Sequence, residues 1–413
     1  MKIYCGIDWA EAHHDVAVID DTGRRLAKTR ITDDLPGFTA LCSLLADAAA
    51  ATQPAEPVGG FVPVDVAIET DRGLLVAALR AAGHRVWSIN PKAVDRYRDR
   101  YSSSRAKSDP GDALILANVL RTDAHAHRQL PADSHLAGAV GVLARTQQDL
   151  ARRRRSEAQA VRSLLREFFP AALLAFPDLT TATAMLVLTA APTPTAAAAL
   201  PADDLLALLR QASRGTLPKQ AGRLAQLFAA PQLRQPAEVE NAMGQALAAL
   251  VAALRGTVEA VRRLEVALQT TLEQHPHAPI LDSLPGLGVV LASRLLAEFG
   301  DDPDRFAHAA GRRAYAGTAP VTRASGKMHA VVLRRGGNRR LVDTCRQWAY
   351  SAITISPGAR AHYDRRRAAG DRHEAALRNL ANKLVGQLDH CLRHNRTYRE
   401  ADAWTAPPAA LAA

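Results

Sequence analysis

The chain has 413 residues, enough for two or three domains with cores of their own, and 52 Lys+Arg against 41 Asp+Glu give a net charge of +11. Cys5, Cys42, Cys345 and Cys391 are far apart, with no Cys-x-x-Cys pair and no histidine at zinc spacing, which excludes a disulfide framework and a zinc module and fits a reducing cytoplasm. From Arg305 to Glu400, 20 basic residues face 6 acidic ones, a local +14 that leaves the rest of the chain at −3, and charge gathered in one region points to a polyanion partner.

No leader is expected, since the first residues read as a strand without a basic and then apolar lead-in, and no apolar run is expected to approach a membrane span. Ile3, Cys5 and Ile7 alternate with Tyr4 and Gly6, which predicts a strand over about 2–9. Further strands are predicted near 14–20, 24–31, 64–69 and 84–89, and helices near 35–51, 72–82 and 109–122. Three strands in succession, then alternating helices and strands, is the order of a ribonuclease H-like α/β fold. Asp8 stands near the end of its first strand, where a carboxylate partly withdrawn from water asks for a metal, a salt bridge or a cap. Glu69 ends the fourth strand. Asp109 and Asp112, in Ser108-Asp109-Pro110-Gly111-Asp112, open a helix, a place the macrodipole favours for any acidic residue. Four hard oxygen donors converging on one crevice would repel one another unless Mg²⁺ or Mn²⁺ lay among them, and that is the outline of a two-metal phosphodiester site.

Just before Asp109, Arg96, Arg98, Arg105 and Lys107 interleave with Tyr97, Tyr101 and serines, a mixture that suits phosphates and bases as well as a solvated helix. From Ser134 to Phe169, apolar residues recur at three-, four- and seven-residue steps around Arg152-Arg153-Arg154-Arg155, as in a coiled-coil or bundle segment. Helices rich in Ala and Leu continue over 201–230 and 237–274. Leu284-Pro285-Gly286-Leu287-Gly288 reads as a helix-hairpin-helix turn or an ordinary tight helix connection. Beyond it come Arg312 and Arg313, then Ser325 between Arg323 and Lys327, then Arg334, Arg335, Arg339 and Arg340. These cations can hold a phosphate, and Ser325 either hydrogen-bonds it or attacks it.

Asp8, Glu69 and Asp109-Pro110-Gly111-Asp112, followed by Leu284-Pro285-Gly286-Leu287-Gly288, Ala316-Gly317-Thr318-Ala319-Pro320 and Ser325-Gly326, resemble in this order the DEDD transposases of insertion sequences, the family that includes the Piv invertase. The resemblance covers residues 1 to about 165 and about 278 to 370. It implies a RuvC-like domain over 1–125 whose Asp8, Glu69, Asp109 and Asp112 bind Mg²⁺ or Mn²⁺ and a C-terminal transposase domain over 278–400, whereas the residue pattern alone predicts the helical coiled-coil region over 126–277, the mainly α character and helix-hairpin-helix-like element of the C-terminal domain, and a tail over 401–413. The resemblance also implies that Ser325 attacks DNA to give a covalent serine-phosphate link. The implied partners are DNA, both element ends and target, an element-encoded guide RNA in some members, and copies of the chain itself as a dimer or tetramer. The family often has Ser-Ser-Gly-Gly where this chain has Ala324-Ser325-Gly326-Lys327. The alternative is a RuvC-like metal-dependent nuclease in which Ser325 only contacts phosphate. A sugar kinase or ATPase would require a Gly/Thr phosphate loop where Trp9-Ala10-Glu11-Ala12 stands.

Overall fold

Three strands open the chain, β1 (Ile3–Trp9), β2 (His13–Asp20) and β3 (Arg25–Thr32), in a computed structural model that describes residues 1–52, 61–101, 109–212, 217–325, 328–332, 334 and 336–404. Asp20 fixes the turn after β2. Its carboxylate accepts from Thr22 Oγ1 at 2.6 Å, Arg24 N at 2.9 Å and Thr22 N at 3.0 Å, while Gly23 takes φ +87°. The Thr22 hydroxyl bond leads the causes that lower the Asp20 pKa to about 2. There follow α1 (Leu35–Thr52), β4 (Asp65–Ile68), α2 (Leu74–Ala81), β5 (Arg85–Ser88), α3 (Pro91–Tyr101) and α4 (Asp109–Asp123). The sheet runs β3-β2-β1-β4-β5. β1, β2 and β3 are antiparallel neighbours, and β4 lies parallel to both β1 and β5.

Strand alternation gives this sheet two apolar faces. Cys5, Ile7, Val66 and Ile68 pack with Leu41, Leu45, Val76 and Leu79 of α1 and α2, whereas Tyr4 and Ala67 pack with Val94 of α3 and with Leu116, Ala117 and Leu120 of α4. Burial pushes the Cys5 thiol up to about 12. On the second face Gly6 decides the spacing. A Cβ there would lie within 3 Å of the Ala113 carbonyl and the Ala117 amide, so α4 lies with its backbone against β1.

Residues 1–132 and 133–413 form two compact units. Among the described residues the second is helical apart from one hairpin. It contains α5 (His135–Phe168), α6 (Pro170–Ala175), α7 (Ala182–Ala190), α8 (Pro194–Ala198), α9 (Ala202–Ala212), α10 (Leu217–Ala229), α11 (Ala237–Glu273), α12 (Ala278–Ser283), α13 (Val289–Phe299) and α14 (Ala309–Tyr315). The hairpin of β6 (Val321–Ser325) and β7 (Met328–Val332) precedes α15 (Arg339–Ile355), α16 (Pro357–Ala368), α17 (His373–Arg393) and α18 (Glu400–Ala403). Ser134 caps α5 by accepting from Ala137 N at 3.0 Å. Val140 and Ala144 of α5 share a core with Leu268 and Leu272 of α11, and Val161 and Leu165 share another with Leu247, Val251 and Leu254. The start of one helix therefore meets the end of the other, so α5 and α11 pair antiparallel over most of their 34 and 37 residues.

By length and composition α1 and α11 are apolar enough to cross a membrane, so the expectation that no run approaches a span was too strict. Each buries a stripe on its own chain: Leu41 and Leu45 of α1, and Leu247, Val251, Leu254 and Val261 of α11. In the turn from α12 to α13, Gly286 takes φ +72° and a Cβ there would stand 2.7 Å from the backbone of Ser351 and Ala352 in α15. The close approach this glycine permits is thus to α15, and the buried Trp348 reinforces it by donating Nε1 to the Pro285 carbonyl at 2.9 Å.

Gly6→Ala forces α4 off β1, because the obstructing atoms are backbone and no side chain can turn away. We expect it to cost at least ~3 kcal/mol, measured by urea unfolding, with the β-sheet unit losing its cooperative transition first.

Candidate functional site

In the first unit, Ile7 of β1 sits beside Ile68 of β4 in parallel register, so Asp8 and Glu69 follow at adjoining strand ends, both half-buried. Alternation puts Asp8 on the same face as Gly6, the face covered by α4. Asp112 precedes Ala113, the residue whose carbonyl lies against Gly6, so the glycine contact brings the start of α4 to this end of β1. Asp112 is itself only 4% exposed. Its Oδ1 accepts from Arg98 Nε at 3.1 Å and Nη2 at 2.7 Å, and Arg98 Nη1 also donates to Asp95 at 2.6 Å. The Asp112 hydrogen bond leads the causes that raise the Arg98 pKa. On the far side of Asp8, its β2 neighbour Asp15 is buried and held by Arg30 at 2.8 Å.

Among the described residues no group of three or more His, Cys, Asp and Glu stands close enough to hold an ion. The Asp109 side chain lies outside the described ones. The donors nevertheless fit a hard divalent cation in kind, since all are carboxylates, and buried Asp112 already holds one cation in the form of Arg98.

In the second unit, Ser325 ends β6 directly opposite Met328. Arg105, Lys107, Lys327 and Arg335 lie outside the described residues, as do the side chains of Arg323 and Ser325. The base of the hairpin is locked by two sequence motifs that meet. Gly337 packs against Gly317, where a Cβ on Gly337 would come within 3.1 Å of the Gly317 Cα. Asn338 N donates to the Tyr315 carbonyl at 3.0 Å, and Arg334 Nε to the Ala319 carbonyl at 3.3 Å. Asn338 also caps α15, accepting from Arg340 N and Leu341 N, and donates Nδ2 to buried Glu298. Arg145 of α5 holds the other oxygen of Glu298 at 2.8 Å. Asparagine before a helix is a local capping signal, but within Arg334-Arg335-Gly336-Gly337-Asn338-Arg339-Arg340 the basic residues mask it. Beside this base a cleft of about 280 Å³ is lined by Arg334, Arg339, Arg346 and Arg378 with Glu374.

The basic residues singled out from the sequence have different surroundings. Arg96 and Arg339 are exposed, and Arg313 is half-buried with its guanidinium against Gly386. Arg312 is buried, paired with Asp389 at 2.8 Å and stacked over Phe299 and Phe306, and burial pushes its pKa down. Arg340 bonds Asp149 through both terminal nitrogens, at 2.9 and 2.7 Å, and holds that carboxyl below its usual range.

Residues 5–170 match a family model described as a transposase, of the DEDD, IS110 kind, and residues 278–364 match one described as the transposase IS116/IS110/IS902 family. An IS117 mini-circle protein of Streptomyces coelicolor, named as a transposase, is 49% identical over 98% of this chain and 97% of its own length. The 42 kDa protein of insertion element IS900 from Mycobacterium paratuberculosis is 32% identical over 98% of this chain and 99% of its own, and the 43.6 kDa protein of IS110 from S. coelicolor is 30% identical over 96% of each. With such identity across nearly its whole length, the chain belongs to the IS116/IS110/IS902 family of transposases.

Proposed function

We propose that this transposase cuts and rejoins DNA through a covalent link between Ser325 and phosphate, with Asp8, Glu69, Asp109 and Asp112 holding Mg²⁺ or Mn²⁺. The observation that carries the reading is the placement of Asp8 and Glu69 at adjoining strand ends, with α4 and its Asp112 brought to the same face by Gly6. The strand order and mixed directions support a ribonuclease H-like, RuvC-like sheet, and the three- and four-residue stepping of buried positions along α5 and α11 supports a coiled coil. When bound, the divalent ion supplies a Lewis acid that lowers the cost of charge on phosphate and on an attacking hydroxyl. In the covalent step the Ser325 Oγ–P bond forms as one phosphoester P–O bond breaks. The serine gives up its proton to solvent and the departing sugar oxygen gains one. Attack by a sugar hydroxyl on the same phosphorus reverses the step, so strands are rejoined without ATP. The exposed Arg96 and Arg339, with Arg313, Arg334 and the cations around Ser325, serve the DNA backbone.

Two outcomes follow for measurement. On a denaturing gel, protein mixed with labelled element-end DNA should give a shifted adduct that is lost in Ser325→Ala, in Asp8→Asn and in EDTA. Full-rate hydrolytic cutting by Ser325→Ala would establish the nuclease alternative instead. Separately, Arg98→Ala leaves Asp112 buried without its cation. It should lose ~3 kcal/mol in EDTA, read by urea unfolding, and saturating Mg²⁺ should return part of that loss by binding the folded state. A variant as stable as the parent in EDTA would show that Asp112 does not depend on a counter-charge.

A further inference from the structure

In the second unit the stripe that joins α5 to α11 changes character midway. Val140 and Ala144 continue in the same three-and-four stepping to Gln147, Ala151 and Arg154, so two polar residues stand where apolar ones would close the seam. Gln147 meets Glu265 of α11 at 2.9 Å. Over this break opens a cleft of about 640 Å³ whose charged lining is Arg154, Arg155, Arg294 and Arg346 against Glu265 alone, with Tyr350 at its edge.

Arg294 is the decisive residue. It is 6% exposed, yet its hydrogen bonds go to uncharged amide oxygens, Gln147 Oε1 at 2.7 and 3.2 Å and Gln347 Oε1 at 3.4 Å. A buried guanidinium ordinarily sits on a carboxylate, as Arg312 does on Asp389. Here Asp343 and Glu265 act on it only at a distance, and burial, the leading cause, pushes its pKa down. Arg154 and Arg155 border the same space, as does Arg346, which is paired with Glu374 at 3.2 Å, so among the described residues three of the four guanidiniums at this cleft have no carboxylate partner. The first turn of α13, which no side chain caps, borders it through Val290 and Leu291. Tyr350 is 62% exposed, an aromatic face in water beside four cations.

We infer that this cleft is a binding site for a single-stranded nucleic-acid segment, with Arg154, Arg155 and Arg294 holding phosphates and Tyr350 stacking a base. The site deepens the reading of the chain as a nucleic-acid-processing transposase and rests on it. An inorganic anion would use the guanidiniums but not an aromatic face at the rim, and a mononucleotide could stack its base but would bring phosphate to a single place, whereas the guanidiniums stand on both α5 and α13. A duplex keeps its bases stacked on one another, whereas a single strand has both free phosphates and a free base face.

The test is fluorescence anisotropy of the full chain with labelled twelve-nucleotide oligo(dT) and oligo(U), titrated across a range of salt. The double variant Arg154→Ala/Arg155→Ala should lower the log–log salt slope by about 1.4, from two phosphate contacts at about 0.7 each, and weaken binding roughly tenfold or more. Tyr350→Ala should weaken binding at least about fivefold with the slope unchanged. Neither variant removes a fully buried group, so both should keep the parent's melting temperature, and bromouridine cross-linking of the parent should map to Tyr350. Tighter binding of one oligonucleotide identifies the strand as RNA or as DNA, and either supports the site. A parent that binds neither, or a double variant with parental slope and affinity, overturns it. The covalent-adduct assay fails independently. A protein that forms no adduct but shows the cleft-dependent slope overturns the Ser325 chemistry alone, and one that forms the adduct while the double variant binds as the parent does overturns the cleft alone.

Discussion

The missing side chain at Gly6 is the constraint on which the first unit's candidate site depends. A helix normally stands off a sheet by the thickness of two side-chain layers, but here the α4 backbone touches β1, with Ala113 and Ala117 as the contact. Two consequences follow from the same contact. It puts the start of α4, and so Asp112, at the carboxylate-bearing end of the central strands, and it buries Asp112 so far that a cation has to accompany it. Arg98 meets that need. A single glycine thus sets both the position of the carboxylate and its demand for positive charge.

The second unit reaches a comparable result with a polar network. Glu298, buried at the end of α13, accepts from Arg145 of α5 and from Asn338, which in turn caps α15 and bonds the Tyr315 carbonyl. Four helices and both loops at the base of the β6–β7 hairpin are joined through one carboxylate and one amide. Such a network holds only if each member is satisfied. It gives the hairpin that ends in Ser325 a base fixed by directional bonds.

Much of this was legible in the sequence because it is local. Alternation over Ile3, Cys5 and Ile7 acts within a few residues, and the strands and helices predicted for the first unit fall within about two residues of those observed, with α3 over Pro91–Tyr101 the element that was not among them. The α4 contact with Gly6 was not legible, since nothing in a Tyr-Cys-Gly-Ile strand says which helix will lie on it. Ion-pair partners were hidden for the same reason: Arg98 finds Asp112 at a separation of 14 residues, Arg312 finds Asp389 at 77 and Arg340 finds Asp149 at 191. Gly286 carried a local signal, close approach of backbone, but not the identity of what approaches, which is α15.

Charge illustrates the difference between composition and structure. A local excess of +14 suggests a uniformly basic surface, yet Arg312 and Arg340, two of the residues a sequence reader would assign to phosphate, are anchored on carboxylates. An arginine already on a carboxylate gains little from a phosphate, because the new partner must replace an equivalent one. The cations able to gain are those whose partners are neutral, as with Arg294 on Gln147 and Gln347, or those open to solvent, as with Arg155. Arg294 and Arg155 border the same cleft although they lie in helices far apart in sequence, and neither lies in the hairpin segment where the basic residues are densest. Local charge density in a sequence therefore locates the partner class, while the pairing pattern in the fold locates where that partner can bind.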